Sequence, residues 1–335
     1  MAPPDGDAEV RRQGMLLARM MRLKVLVTLW TFLLIGLARH AGPMPYGGLA
    51  LAVLALAAGY AVATTANDSA DIEIDRVNRP RDAGRPLVTG DATVPDLWRT
   101  NALAGGIAVV AAIPLGAQGL VIVGSSLAVS YAYSVGPIRL SHRWTLAQLA
   151  LALAYVVLPY ALGVHIAGRG WDRRDVPLVA GLFVLFVARI VLKDLRDRLG
   201  DAAFGKPTLL LRLGKRATCA VSVGGAALGT AILIGGLHVP ALVAAMLAIY
   251  SIGIVWMLIR LATVRDPRLE QVAIGVAARA GNGLLISILA LLLLQPGGAR
   301  ERTIEVFLAC LLGVFAVSFL DAALHPERVR IGYKA

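Results

Sequence analysis

Charge is scarce in this chain. Asp, Glu, Lys and Arg make up 16% of its 335 residues, while apolar residues make up 58% and mean hydropathy is +0.72. Soluble domains carry about 25% charged and about 45–50% apolar residues. The deficit excludes an ordinary soluble enzyme, and the apolar content excludes disorder. Cysteine is scarcer still. Cys219 and Cys310 lie in apolar runs, 91 residues apart, and make neither a disulfide framework nor a zinc pattern. Both read as small lipid- or core-facing residues.

Long charge-free intervals replace what is missing. A helix that crosses the bilayer core needs about 20 mostly apolar residues. Single spans fit Leu23–Ala41, Pro45–Ala66, Leu146–Ile166, Val176–Leu192, Ala280–Pro296 and Ile304–Ala322. The uncharged run between Arg99 and Arg139 is too long for one span and divides at Pro114, Gly116 and Gly119. The run from Ala217 to Ile259 divides between Gly235 and Pro240. The expected fold is therefore all-α, a polytopic transmembrane bundle of nine or ten spans. Residues 1–21 form a basic tail, 22–322 the transmembrane domain with 304–322 as an added C-terminal helix, and 323–335 a second tail. The first 21 residues lack a cleavable signal pattern.

The net charge of +12 admits two readings, nucleic acid or the inner face of a membrane. Placement of the charges decides. With the N-terminus inside, 26 of the 33 basic residues fall on inner segments, six on outer ones and Arg189 within a span. They are spread over six segments rather than gathered in one reading head, which excludes nucleic acid. Both tails are expected in the cytoplasm.

Acidic residues gather twice, each time directly after an apolar span. The first cluster reads Asn67-Asp68-Ser69-Ala70-Asp71-Ile72-Glu73-Ile74-Asp75, and the second Asp194-Leu195-Arg196-Asp197-Arg198-Leu199-Gly200-Asp201. Both follow D-x-x-D-x-x-x-D, and corresponding aspartates are all 126 residues apart. That shared register suggests a duplicated helix group. Offsets of three and four stack side chains on one helix face. Like charges stacked beside a bilayer are costly unless cations bind them. Oxygen-only donors suit a hard ion, magnesium first, and magnesium shares its shell with phosphates. Six carboxylates and a diphosphate outweigh two magnesium ions, so Arg76, Arg79, Arg85, Lys193, Arg196, Arg198 and Lys206 are expected to supply further positive charge. Such a clamp favours departure of a diphosphate.

The two aspartate motifs, with Asn78-Arg79-Pro80, Gly84-Arg85-Pro86-Leu87-Val88-Thr89-Gly90 and Tyr133-Ser134-Val135-Gly136-Pro137-Ile138-Arg139-Leu140 between them, resemble the UbiA-type intramembrane prenyltransferases over roughly residues 20–295. The resemblance implies Mg2+-dependent transfer of a polyprenyl group from its diphosphate to a small acceptor, aromatic in many members, at the cytoplasmic edge of the lipid bilayer. It implies Asn67, Asp68, Asp71, Asp75, Asp194, Asp197 and Asp201 as metal ligands. Asp71, Asp197 and Tyr133 are then catalytic, and Asn67, Arg85, Arg139 and Lys193 contact the substrate diphosphate. The chain departs from the family at Ser141, where a lysine is common, and in a tenth span where nine are usual. A transporter is a competing reading, but transport sites lie near the midplane, whereas these acids lie at one edge. Relatives with non-aromatic acceptors, or that cyclise the isoprenoid, form a further alternative. His142 and His165 read as loop or interface residues.

Overall fold

The computed structural model describes residues 6–40, 42, 44–295 and 300–329. Parts of both expected tails (1–5 and 330–335) and the span ends at Ala41 and Pro296 lie outside the described residues, within which there is no strand.

In chain order the helices are α1 (Gly6–Met20), α2 (Leu23–Arg39), α3 (Tyr46–Ala70), α4 (Ile72–Asn78), α5 (Pro86–Thr89), α6 (Val94–Ala112), α7 (Gly116–Ser134), α8 (Trp144–Ala152), α9 (Leu158–Ile166), α10 (Asp175–Ile190), α11 (Asp194–Ala203), α12 (Leu209–Leu237), α13 (Ala241–Thr263), α14 (Pro267–Leu294) and α15 (Glu301–Leu324). A π-helical turn over Leu153–Val157 joins α8 to α9 as one span-length stretch, and a 3₁₀ turn over Val191–Lys193 joins α10 to α11. The starts follow local chemistry. Thr93 and Asp96 form a reciprocal capping box ahead of α6, Thr208 caps α12, and Asp266 caps α14 with Pro267 behind it.

Eight stretches among the described residues are long and apolar enough to cross a membrane, and one of them, Val94–Ser134, has 41 residues. A straight helix of that length would run about 60 Å, twice a bilayer core. It is instead a hairpin. The Tyr131 hydroxyl on α7 donates to Asn101 Oδ1 on α6, across the break at Pro114 and Gly116. Splitting this stretch and adding the 17-residue α2, which bends 65° away from α1, gives ten apolar helices, as the charge-free intervals predict.

The closest pairings are α10 with α12, α3 with α6, α13 with α14 and α2 with α9, and α14 returns to pack on α2. Small residues permit this. A Cβ on Gly163 of α9 would overlap the Leu33 carbonyl and sit 2.8 Å from the Leu37 nitrogen of α2. Gly163→Ala is expected to destabilise the bundle by about 1–3 kcal/mol, read as a lowered Tm in detergent. An unchanged Tm would contradict this packing.

α1, within the expected basic tail, packs against the bundle. Leu16 and Met20 are buried in a cluster with Ala61, Val62, Leu97 and Ala104, Met20's carbonyl accepts from Thr64 Oγ1 at 2.8 Å, and Arg12 pairs with Asp96 at 2.6 Å. Both aspartate motifs, at the end of α3 and on α11, emerge at the same end of the bundle, where α4 packs against α11.

Candidate active site

The first motif starts on α3 and bends. Asp71 sits between α3 and α4 with φ −111° and ψ 20°, so Asp68 and Asp75 do not continue one straight ladder. The surrounding cations explain the bend. Arg85, buried, places one guanidinium nitrogen on Asp68 Oδ1 at 2.6 Å and also on Asp75. Arg22, in the left-handed turn between α1 and α2, donates to the other oxygen of Asp68. Asp71 turns elsewhere. It accepts from Arg139 at 2.9 Å, Lys206 at 3.1 Å and the Asn67 amide at 3.3 Å, with His142 Nε2 at 3.9 Å.

The second motif keeps its helical register. Asp194, Asp197 and Asp201 all lie on α11, with Asp194 and Asp201 only 3% exposed. Cations tie the two motifs together. Arg79, from beyond α4, grips Asp197 at 2.7 and 3.0 Å. The Lys206 ammonium touches Asp71 of one motif and lies 3.8 Å from Asp201 of the other. α4 approaches α11 at Gly200, whose N–H donates to Asn78 Oδ1 at 2.7 Å. A Cβ there would stand 2.6 Å from the Ile74 carbonyl oxygen.

Beside this cluster the Lys193 ammonium donates to the Tyr133 hydroxyl at 2.8 Å and lies 5.4 Å from its ring centre. All the expected site residues thus gather at one end of the bundle. Arg85 is held by Asp68 and Asp75 through one guanidinium nitrogen, while its buried Nε donates to no group among the described residues. Arg22 joins the site unexpectedly, and Lys206, Asn78 and Gly200, which lie within or beside the motifs, join it in roles that the sequence does not assign. Lys206 was legible only as a nearby positive charge, and Arg22 lies 46 residues from Asp68 with no motif to mark it.

Electrostatics here are uneven. Burial pushes Asp71 up, but Lys206 and Arg139 outweigh it and hold its carboxyl below the usual range. Burial dominates at Asp75 and pushes it up to about 7, Arg85 notwithstanding. Asp194 Oδ2 and Asp201 Oδ1 accept no hydrogen bond among the described residues. Buried oxygens in that state commonly mark the place of an ion or water. Hard carboxylate donors with open lone pairs on α11, facing the paired carboxylates of the first motif, fit a magnesium-type cation.

A second acidic group, His40, Asp172 and Asp175, has ligand atoms within 4.8 Å of one another. Its lone pairs are already used. Asp175 accepts from the Tyr160 hydroxyl at 2.5 Å and from the Asp172 N–H, and contacts His40 at 3.0 Å, while Arg39 holds Asp172. These residues sit at the opposite ends of α2 and α10 and close the bundle there.

Residues 27–275 match the model of the UbiA prenyltransferase family. The chain belongs to this family. The match leaves out α1, the first turn of α2, the last two thirds of α14, and α15. Among curated UbiA-type relatives, a digeranylgeranylglyceryl phosphate synthase from Methanoculleus marisnigri is 34% identical over 188 residues, 55% of this chain and 63% of that one. A homogentisate phytyltransferase from Synechocystis sp. is 34% identical over 152 residues, 44% of this chain and 48% of that one. The chain therefore spans less than two thirds of the length of these relatives. A solved UbiA homologue from Archaeoglobus fulgidus, bound to DMAPP and Mg2+, shares the fold with a TM-score of 0.55 at 15% identity, covering 91% of this chain and 98% of that one.

Proposed function

We propose that this protein transfers a polyprenyl group from its diphosphate to an electron-rich acceptor, with Mg2+, at the cytoplasmic rim of the bundle. One observation carries the reading: two aspartate motifs 126 residues apart meet at one end of the bundle, joined by Arg79 and Lys206, with two buried carboxylate oxygens left open. The solved homologue carrying DMAPP and Mg2+ supports the choice of ligands. The cytoplasmic side rests on the excess of basic residues at the motif-bearing end.

Asn67, Asp68, Asp71, Asp75, Asp194, Asp197 and Asp201 would hold the metal. Asp68 has a guanidinium on each oxygen. Asp71 and Asp197 are likewise paired on both oxygens, by Arg139 and Lys206 and by Arg79, so at all three positions a bound cation would share the carboxylate with these side chains. When bound, magnesium supplies positive charge to the departing diphosphate. The chain adds its own. Arg139, Lys193, Lys206 and Arg79 surround the place where negative charge grows as the carbon–oxygen bond breaks. Tyr133, oriented by Lys193, presents an electron-rich ring to the allylic carbon as it becomes positive. Apolar walls from α2, α10 and α14 exclude water, which would otherwise capture that carbon.

The sequence resemblance favours an aromatic acceptor, and the two curated relatives are named for a glyceryl phosphate product and a homogentisate acceptor. Incubation of purified protein with labelled polyprenyl diphosphates, Mg2+ and an acceptor panel, with products identified by mass, tests the reading. Magnesium-dependent release of diphosphate with a prenylated product is expected. No release from any donor would refute it.

A further inference from the structure

Between α2, α10, α12, α13 and α14 lies a cavity of about 270 Å3. Its wall is mostly Phe, Leu, Ile and Ala, yet it also carries Lys24, Arg189, Lys193 and Arg196 and, among the described residues, no Asp or Glu. Three of the four cations follow from register. Arg189, Lys193 and Arg196 occupy i, i+4 and i+7 along the continuous α10–α11 stretch, which places them on one face. The carboxylates of Asp194, Asp197 and Asp201 turn to the neighbouring face, toward α4 and Lys206.

Arg189 is the unusual member. It lies five residues before Asp194, about 7 Å further into the bundle at 1.5 Å per residue. Its guanidinium donates at 3.3 Å to Asn282 Oδ1, midway along α14. A neutral amide offsets little of the cost of a cation at that depth. Intramembrane cations without a carboxylate partner generally face a substrate or ion path. Lys193 connects the two regions, since it lines this cavity and also holds Tyr133 at the diphosphate site.

We infer that this cavity is the seat of the acceptor and that Arg189, flanked by Lys24 and Arg196, selects an acceptor bearing an anionic group, carboxylate or phosphate. The inference rests on the prenyl-transfer reading above and deepens it. The placement suits the chemistry. An anchor about 7 Å inside the diphosphate site holds the nucleophilic end of a small molecule toward the carbon that loses its diphosphate. The cavity is large enough to seat one ring or a glycerol-sized body with an anionic substituent.

The test uses the full-length protein in detergent with Mg2+ and a polyprenyl diphosphate. The acceptors are a hydroxybenzoate, its methyl ester, a monoalkyl glycerol phosphate and the corresponding uncharged monoalkyl glycerol. The wild type is expected to prefer one anionic acceptor over its neutral counterpart by at least tenfold in kcat/KM. Whether the carboxylate or the phosphate is used distinguishes the two sources of the anion. Arg189→Gln is expected to raise the KM for that acceptor at least tenfold, erase the preference and leave the KM of the donor within about twofold, whereas Arg189→Lys restores part of the preference. A wild type without charge preference would overturn the inference while leaving prenyl transfer standing. So would an Arg189→Gln protein in which only the donor KM rises, because the cavity would then hold the donor chain. A wild type that releases no diphosphate from any donor would overturn both.

Discussion

Asp71→Asn and Asp197→Asn are each expected to lower prenyl transfer by about 10²–10³-fold, the range seen when one transition-state electrostatic contact is lost. Asparagine keeps the volume and one oxygen but removes the charge. At Asp71 the change leaves Arg139 and Lys206 facing a neutral amide. At Asp197 it leaves Arg79 doing so. Two effects then act together. A ligand oxygen loses its negative charge, and the freed cations attract the diphosphate in geometries that do not place the carbon toward the acceptor. The apolar spans are untouched, so circular dichroism and elution from a sizing column should match the wild type. Product formation and diphosphate release by purified variants, titrated with Mg2+, measure the effect. Near-normal turnover by both would remove these aspartates from the chemistry.

Gly200→Ala should damage the same reaction without altering any charge. A Cβ at this position would stand 2.6 Å from the Ile74 carbonyl oxygen and 2.7 Å from the Asn78 side-chain nitrogen. The Asn78 amide can swing aside, but the carbonyl belongs to the backbone of α4. The two aspartate-bearing helices must therefore separate, and the hydrogen bond from the Gly200 N–H to Asn78 lengthens. Overpacking of this kind costs about 1–3 kcal/mol, and a displacement near 1 Å at reacting groups costs about 10²-fold in rate. The variant should show a lower Tm, a higher Mg2+ requirement and a lower kcat together. Leu199→Ala, on the exposed side of the same helix, is the control and should change none of them. A fully active Gly200→Ala protein would mean that the close approach of α4 and α11 does not set the spacing of the site.

Much of this arrangement is written in local patterns. Charge-free intervals mark the spans because hydrocarbon excludes charge, and the two D-x-x-D-x-x-x-D runs stand out because like charges rarely stack without a partner. The break at Pro114 and Gly116 shows as a hairpin for the same local reason. What was not legible depends on contacts between distant segments. Three stacked aspartates on one helix face describe α11 well but not the first motif. There Arg22 and Arg85 draw Asp68 and Asp75 one way, and Arg139 and Lys206 draw Asp71 another. Nothing near Arg22 in the chain announces that it ends on Asp68. The docking of α1 through Leu16 and Met20 is equally silent, since a basic amphipathic stretch suits a free tail or a membrane surface as well. Gly163 and Gly200 read as ordinary glycines until the facing backbone is known. Arg189 looked like a stray charge in a span and became informative only beside Asn282 and an apolar cavity.

In the proposed reaction a divalent cation and a diphosphate are held between the two aspartate motifs. A crystal structure with Mn2+ in place of Mg2+ and a non-cleavable prenyl thiodiphosphate, read by manganese anomalous scattering, tests this directly. Anomalous peaks are expected between Asp71 and Asp75 on one side and Asp194, Asp197 and Asp201 on the other, with the phosphorus atoms beside them. Manganese bound only at His40, Asp172 and Asp175 at the far end, or a diphosphate seated away from both motifs, would contradict that placement.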